Sequence, residues 1–327
     1  MTVHIVPVGL SLADTLDSHG HERDVPENVL SKWRENRDPH DGGLQLGLDG
    51  KHVDSSELLK RLFGSQSGRE NSESSERPNV SEQNLQGLLQ MINEADLANW
   101  NYNTRMSAEI DALRAHDIDL DNDDLVLLLA SDSTQGLANA IWNALILARG
   151  DHKRVWYRDS LNHVTPDAGA RQQVVIMRIP HLDVETNSQF QSALESLTDL
   201  AELIQGHGVP DDENPVRDGD ELVFHITGGY RSTLPYLIAI AEWLRSLRSE
   251  VSAQLLPKKG GETMSLPLRK LDPNDVKDEL SAFAGGSWSR KGPQTRMLLG
   301  YAYTKTRGGF ELNELGKCMR TLFIPEG

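Results

Sequence analysis

Leu125–Ala130 (LVLLLA) is apolar at every position, and Ser131-Asp132-Ser133-Thr134-Gln135-Gly136 follows it directly, leading into LANAIWNALILA. A short run with no polar alternation suits a strand covered on both faces, as in a parallel sheet between two helix layers. The same order recurs along the chain. Residues 2–9 (TVHIVPVG) precede LSLADTL, and residues 173–179 (QVVIMRI) precede an amphipathic helix at 187–205 with Phe190, Leu194, Leu197, Ala201 and Ile204 on one side. Residues 221–227 (ELVFHIT) precede Gly228-Gly229-Tyr230-Arg231-Ser232 and the helix LPYLIAIAEWLRSL, while 153–157 (KRVWY) and 251–256 (VSAQLL) are further strands. Strand alternating with helix predicts right-handed βαβ units, hence a doubly wound, mostly parallel, Rossmann-like α/β domain over 1–272.

Two regions depart from that pattern. An insertion at about 17–123 starts with polar text from His19 to Gly50 and a short candidate helix at 55–63 (SSELLKRLF). Residues 64–79 carry no apolar side chain and are expected to form a flexible loop, since nothing there offsets the entropy of ordering. Helical spacing returns at 81–114 through Leu85, Leu88, Leu89, Ile92, Ala95 and Leu97, with Ser81 as a cap and a second segment holding Ile110 and Leu113. The tail, 273–327, combines PNDVKDELSAFA, a Gly-rich bend, MLLGYAYT and ELNELGKCMRTLF, and reads as a small helical or winged-helix-like cap. For 327 residues, one large domain with an appendage is a natural division.

Composition closes several routes. With 33 Lys+Arg against 49 Asp+Glu, the net charge of −16 argues against binding long duplex nucleic acid, where affinity comes from cations replacing counterions. A single cysteine, Cys318, permits no intramolecular disulfide and no cysteine zinc site. No HExxH or clustered metal spacing occurs among the 11 histidines, so no metal and no cofactor are expected. The sequence lacks an apolar run of about 18 residues, and its first residues have no basic n-region, so no membrane span and a cytoplasmic location are expected. Neither GxGxxG nor GxxxxGK[ST] is present.

The chemistry-bearing residues follow three strands: Gly9-Leu10-Ser11, Ser131-Asp132-Ser133 and Thr227-Gly228-Gly229-Tyr230-Arg231-Ser232. In an open parallel sheet, ligands bind beyond the carboxyl ends of strands, where helix N-termini offer free N–H groups. Paired glycines permit close backbone approach, and Arg231 supplies a planar cation matched to phosphate. Taken singly, each turn is also an ordinary cap or an ordinary Gly-Gly bend. His4 and His225 read as packed strand residues, and Asp121-Asp123-Asp124 and Asp211-Asp212-Glu213 as solvated loops.

These segments carry a family resemblance. VGLSL, LLLASDSTQGLANAI and especially HITGGYRSTLPYLIAIAEWL resemble the CRISPR-associated Rossmann-fold (CARF) domain, in the group with a TGG-aromatic-Lys signature. That group includes stand-alone ring nucleases and the sensor halves of type III CRISPR ancillary nucleases. MRIPHLDVE and MSLPLRKLD are similar to its layout, and the likeness covers about 1–16 and 124–272. It implies a homodimer that binds cyclic tetra- or hexa-adenylate across its two-fold axis. Gly9, Leu10 and Ser11 would touch the ring from one edge, Ser131, Asp132 and Ser133 would line the mouth, and Thr227 to Ser232 would hold phosphate and ribose. Arg231 stands where the family usually has lysine; it keeps the charge but cannot donate a proton near neutral pH.

The implied reaction is metal-independent. A ribose 2′-OH attacks its own 3′-phosphate, leaving a 2′,3′-cyclic phosphate and a 5′-OH, with positioning and oriented donors supplying the rate. Arg231 is expected to stabilise the oxyanion and Ser11 to position ribose or phosphate. Arg158 to His163 fits the R-x4–6-H spacing of ancillary RNases but follows a strand of the sheet domain and is read as a chance match. The alternatives are a non-catalytic sensor that signals to a partner protein or to DNA, and a general α/β nucleotide-binding protein.

Overall fold

In the computed structural model, the described residues are 1–19, 25–40, 42–44, 106–118, 120, 124–158, 174–182, 186–206, 216–248, 250–257 and 262–325. Strand β1 (Thr2–Pro7) leads into a short helix α1 (Ser11–Asp14) that runs on as a π-helical turn, Thr15–His19. Helices α2 (Glu27–Asn36) and α3 (Ala108–Arg114) belong to the insertion. Then come β2 (Leu125–Ser131), α4 (Thr134–Leu147), β3 (Val155–Arg158), β4 (Val174–Ile179), α5 (Asn187–Ile204), β5 (Glu221–His225), α6 (Leu234–Leu247), β6 (Val251–Leu255) and β7 (Met264–Leu266).

The seven strands form one sheet in the order β3-β4-β2-β1-β5-β6-β7, parallel throughout except for the antiparallel β6–β7 pair. Strands β1, β2 and β4 feed alternate side chains to two cores, and β5 and β6 feed the first. Val3, Ile5, Leu127, Met177 and Phe224 join the first with α5 and α6, and Val6, Val8, Leu128 and Ile176 join the second with α2, α3 and α4. This is the doubly wound α/β arrangement expected from the sequence. Helix α5 starts on a capping box, with Thr186 accepting from the Gln189 N–H and the Gln189 side chain accepting from the Thr186 N–H.

The insertion contributes to the second core from within the stretch read as polar text, His19 to Gly50. Val29, Leu30 and Trp33 of α2 are buried, and Trp33 meets Trp142 edge-on at 5.6 Å while its indole N–H reaches Asp17 at 2.7 Å. Their spacing of one and three residues is the only helical signal in that stretch. The expected helix at 55–63, the expected flexible loop at 64–79 and the leucine repeat from 81 to 105 lie outside the described residues.

The cap is a mixed α/β unit. Helix α7 (Pro273–Leu280) is followed by β8 (Trp288–Ser289), β9 (Tyr303–Lys305), β10 (Phe310–Leu312) and α8 (Glu314–Phe323), with the strands forming an antiparallel sheet of order β8-β10-β9. Helix α8 packs on α5 and α6, so its Cys318, Met319, Leu322 and Phe323 extend the first core. The small C-terminal cap expected from the sequence is thus an antiparallel three-strand sheet flanked by two helices, with no helix between β8 and β9. Strands of two or three residues fall below the length at which alternation shows in a sequence. Among the described residues, no helix is long and apolar enough to cross a membrane.

Candidate functional site

The strand order places a switch point at β1. The chain leaves β1 for β2 on one side, and only after β4 does it cross to β5 on the other, so the crevice between β1 and β5 opens where their connections diverge. The turns that follow these strands meet there. A Cβ placed on Gly9 would lie 3.1 Å from the Gly229 nitrogen, and one on Gly229 would lie 2.5 Å from the Pro7 Cβ. Gly229 has φ +85°, a left-handed conformation that favours glycine.

Glu109, from α3, forms the floor of this crevice. Its carboxyl group accepts the Gly9 N–H at 2.8 Å through Oε1 and the Ser11 hydroxyl at 2.7 Å through Oε2, and it is 1% exposed. Ser11 Oγ in turn accepts the Ala108 N–H at 3.0 Å. Gly228 is constrained by the same group, because a Cβ there would lie 2.5 Å from Glu109 Oε1. One acidic side chain from the insertion is thus bonded to the first turn and lies against the third. Nothing in the local sequence distinguished Glu109 from any other acid near a helix start.

The second turn joins from β2. Ser131 is buried and bonds both Ser133 Oγ at 2.7 Å and the Tyr230 hydroxyl at 3.1 Å. Ser133 also caps α4 by accepting the Gly136 N–H at 3.1 Å. Asp132 faces β4: Oδ1 accepts the His181 N–H at 3.0 Å, and Oδ2 lies 3.4 Å from the Arg178 guanidinium. His181 holds φ +59°, so this contact steadies a strained turn. Thr227 is occupied as well, its Oγ1 accepting the Leu256 N–H at 2.8 Å.

Arg231 and Ser232 are exposed at the mouth, as is Leu10, and Arg231 has no ion-pair partner among the described residues. The N–H groups of Gly228, Gly229, Arg231 and Ser232 find no acceptor among the described residues. Among the described residues, the crevice therefore offers a guanidinium and amides without partners above a floor whose own donors are satisfied. Such a mouth suits a phosphate-like anion, two of whose oxygens can take the paired N–H groups of a planar guanidinium, held further out than the Gly9 amide.

A histidine cluster joins β1 and β5, with His4 and His225 buried and His116 half-buried. His4 Nδ1 and His225 Nε2 are 3.0 Å apart, and His116 approaches both rings edge-on, with centroids 5.3 and 5.8 Å away. Burial, reinforced by His4 and His116, pushes the His225 imidazole down to about 3, which keeps it neutral. Both strand histidines are packed, as expected from the sequence. Among the described residues, no cluster of His, Cys, Asp and Glu side chains is arranged to hold a metal ion. His163 and Asp211-Asp212-Glu213 lie outside the described residues. Compared with family models and with curated proteins, the chain matches none.

Proposed function

We propose that the protein binds cyclic oligoadenylate, the second messenger of type III CRISPR defence, at the β1/β5 crevice and opens the ring by metal-independent attack of a ribose 2′-OH. One observation carries the reading: the three turns singled out by their resemblance to the CARF group converge on a single mouth, at whose rim Arg231 stands exposed and unpaired among the described residues. A cyclic ligand with several phosphates matches a rim of free amides plus a guanidinium, and a two-fold ring matches a homodimer in which each copy offers the same patch. Arg231 then stabilises charge on the phosphoryl oxygens, and the Ser11–Glu109 pair fixes the turn against which the ribose rests.

The test is incubation of purified protein with labelled cyclic tetra- and hexa-adenylate in EDTA under single-turnover conditions. Appearance of linear products ending in 2′,3′-cyclic phosphate supports cleavage, and an intact ring after long incubation rejects it. A second reading, a sensor that binds without cleaving, gains support from Ser11, whose hydroxyl is held by Glu109 on one side and the Ala108 N–H on the other. Tight binding with no product, together with a partner captured only in the presence of the ring, favours that reading.

A further inference from the structure

We infer that the end of the C-terminal sheet where the β9–β10 turn meets β8, bringing Arg307 beside Trp288 and Arg290, is a docking surface for single-stranded nucleic acid, separate from the β1/β5 crevice and independent of what that crevice binds. Between Ser281 and Phe310 the sequence has five cations (Arg290, Lys291, Arg296, Lys305 and Arg307) and no carboxylate, in a chain whose net charge is −16. All five are exposed, and none has an ion-pair partner among the described residues. Large exposed apolar side chains accompany them: Trp288 is 50% exposed, Met297 49% and Leu299 40%.

The arrangement is held rigidly from below. The buried Glu279 of α7 accepts the Thr295 hydroxyl at 2.6 Å, the Met297 and Leu298 N–H groups at 3.1 and 2.7 Å, and the Tyr303 hydroxyl at 2.6 Å. Burial opposes its charge, but these four donors together bring its carboxyl below the usual range. The loop that presents Arg296, Met297 and Leu299 is thereby pinned to the sheet. Gly292, at φ +66°, lets the Arg290–Lys291 turn close over Phe310, where a Cβ would collide with the ring. The Trp288 indole lies beside Gly308, 3.7 Å from where its Cβ would stand, next to the turn that carries Arg307.

A single strand displays planar bases and phosphates in alternation. Exposed aromatic and apolar side chains set among guanidinium groups are the matching pattern, because bases stack on aromatic faces and on arginine. A duplex hides its base faces and demands a long cationic track, which this acidic chain does not provide. An acidic peptide would use the charges but offer little to Trp288. Glu311, the cross-strand neighbour of Trp288, is the adverse charge here, one carboxylate against Arg290, Lys291 and Arg307, while Lys305 pairs with the buried Phe310 on the opposite face and Arg296 lies over the Phe310 ring.

Fluorescence anisotropy of the full chain with a labelled single-stranded oligouridylate of about 20 nucleotides tests the proposal. Binding is expected at low salt, with a log–log salt slope of roughly −0.7 per phosphate engaged. Combining Arg290→Glu, Lys291→Glu and Arg307→Glu is expected to weaken binding at least about tenfold and to flatten the slope by about 2. Trp288→Ala should weaken it with the slope unchanged, and Trp288→Phe should restore part of the loss. Because these side chains are exposed, melting curves of the variants should overlay that of the parent. Lys153→Glu, on the far edge of the fold, should leave binding unaltered. The proposal is overturned by absence of binding, by equal affinity for a duplex or a polyglutamate peptide, by an unaffected triple variant, or by loss of binding on Arg231→Ala instead.

Discussion

The phenol oxygen of Tyr230 lies 3.1 Å from the hydroxyl of Ser131, although β5, which precedes Tyr230, and β2, which ends at Ser131, are not neighbours in the sheet. The bond passes over the carboxyl end of β1 and joins the turns on either side of it. Tyr230→Phe removes the bond and keeps the ring, so a loss of about 1 kcal/mol is expected from urea denaturation. An unchanged midpoint would show that the two turns hold their positions without it.

Glu109 is the more costly link. Truncation to alanine leaves the Gly9 N–H and the Ser11 hydroxyl without their acceptor on the buried floor of the crevice, with an expected loss of roughly 3 kcal/mol. Glu109→Gln retains one carbonyl oxygen but turns an amide toward the other donor, so its loss should fall between that of the parent and Glu109→Ala. Equal stabilities for the two variants would contradict this account.

Two glycines separate backbone strain from collision. Gly219 has φ +90° with open space around it, so Gly219→Ala should cost only the left-handed penalty of about 1 to 2 kcal/mol. Gly229 has φ +85° and a Cβ site 2.5 Å from the Pro7 Cβ, so Gly229→Ala should cost distinctly more and should displace β1 from the crevice. Thermal unfolding of the pair under one condition reads the difference.

Arg231 and Asp132 should behave oppositely. Arg231→Ala alters an exposed side chain and should shift stability by no more than about 0.5 kcal/mol, while weakening cyclic oligoadenylate binding by about tenfold or more. Asp132→Ala removes the partner of Arg178 and of the His181 N–H, so it should lower the melting temperature before any ligand is added. Calorimetric titration alongside melting curves distinguishes the two patterns.

Acid should destabilise the fold through His225. Its imidazole titrates at about 3 when folded and near 6.5 in the unfolded chain. The unfolded state therefore binds the extra proton between those values, so stability is full above about 6.5 and falls as the pH drops toward 3. The slope from this one group reaches about 1.4 kcal/mol per pH unit. His4 and His116 pack against it, and Asp124 lies beside His4, so His225→Gln should flatten the acid limb of a stability–pH curve without flattening the neutral region. A curve of unchanged shape would assign the acid sensitivity to other groups.

The alternation of apolar runs with polar turns and amphipathic helices was enough to specify a doubly wound α/β domain, because side chains buried on both sheet faces leave Leu125–Ala130 no polar position. It also picked out the three turns, since glycine, serine and a cation after a strand are local choices visible in the residues themselves. What tertiary structure decided was which turns meet. Strand order sets β1 between β2 and β5, a non-local fact that no spacing encodes. It brought Glu109 from about a hundred residues away onto Gly9 and Ser11, and turned Asp132 aside toward Arg178 while leaving Arg231 at the rim. Local sequence fixes the conformation each segment prefers, but a polar side chain's partner is chosen only when packing brings distant segments within hydrogen-bonding distance.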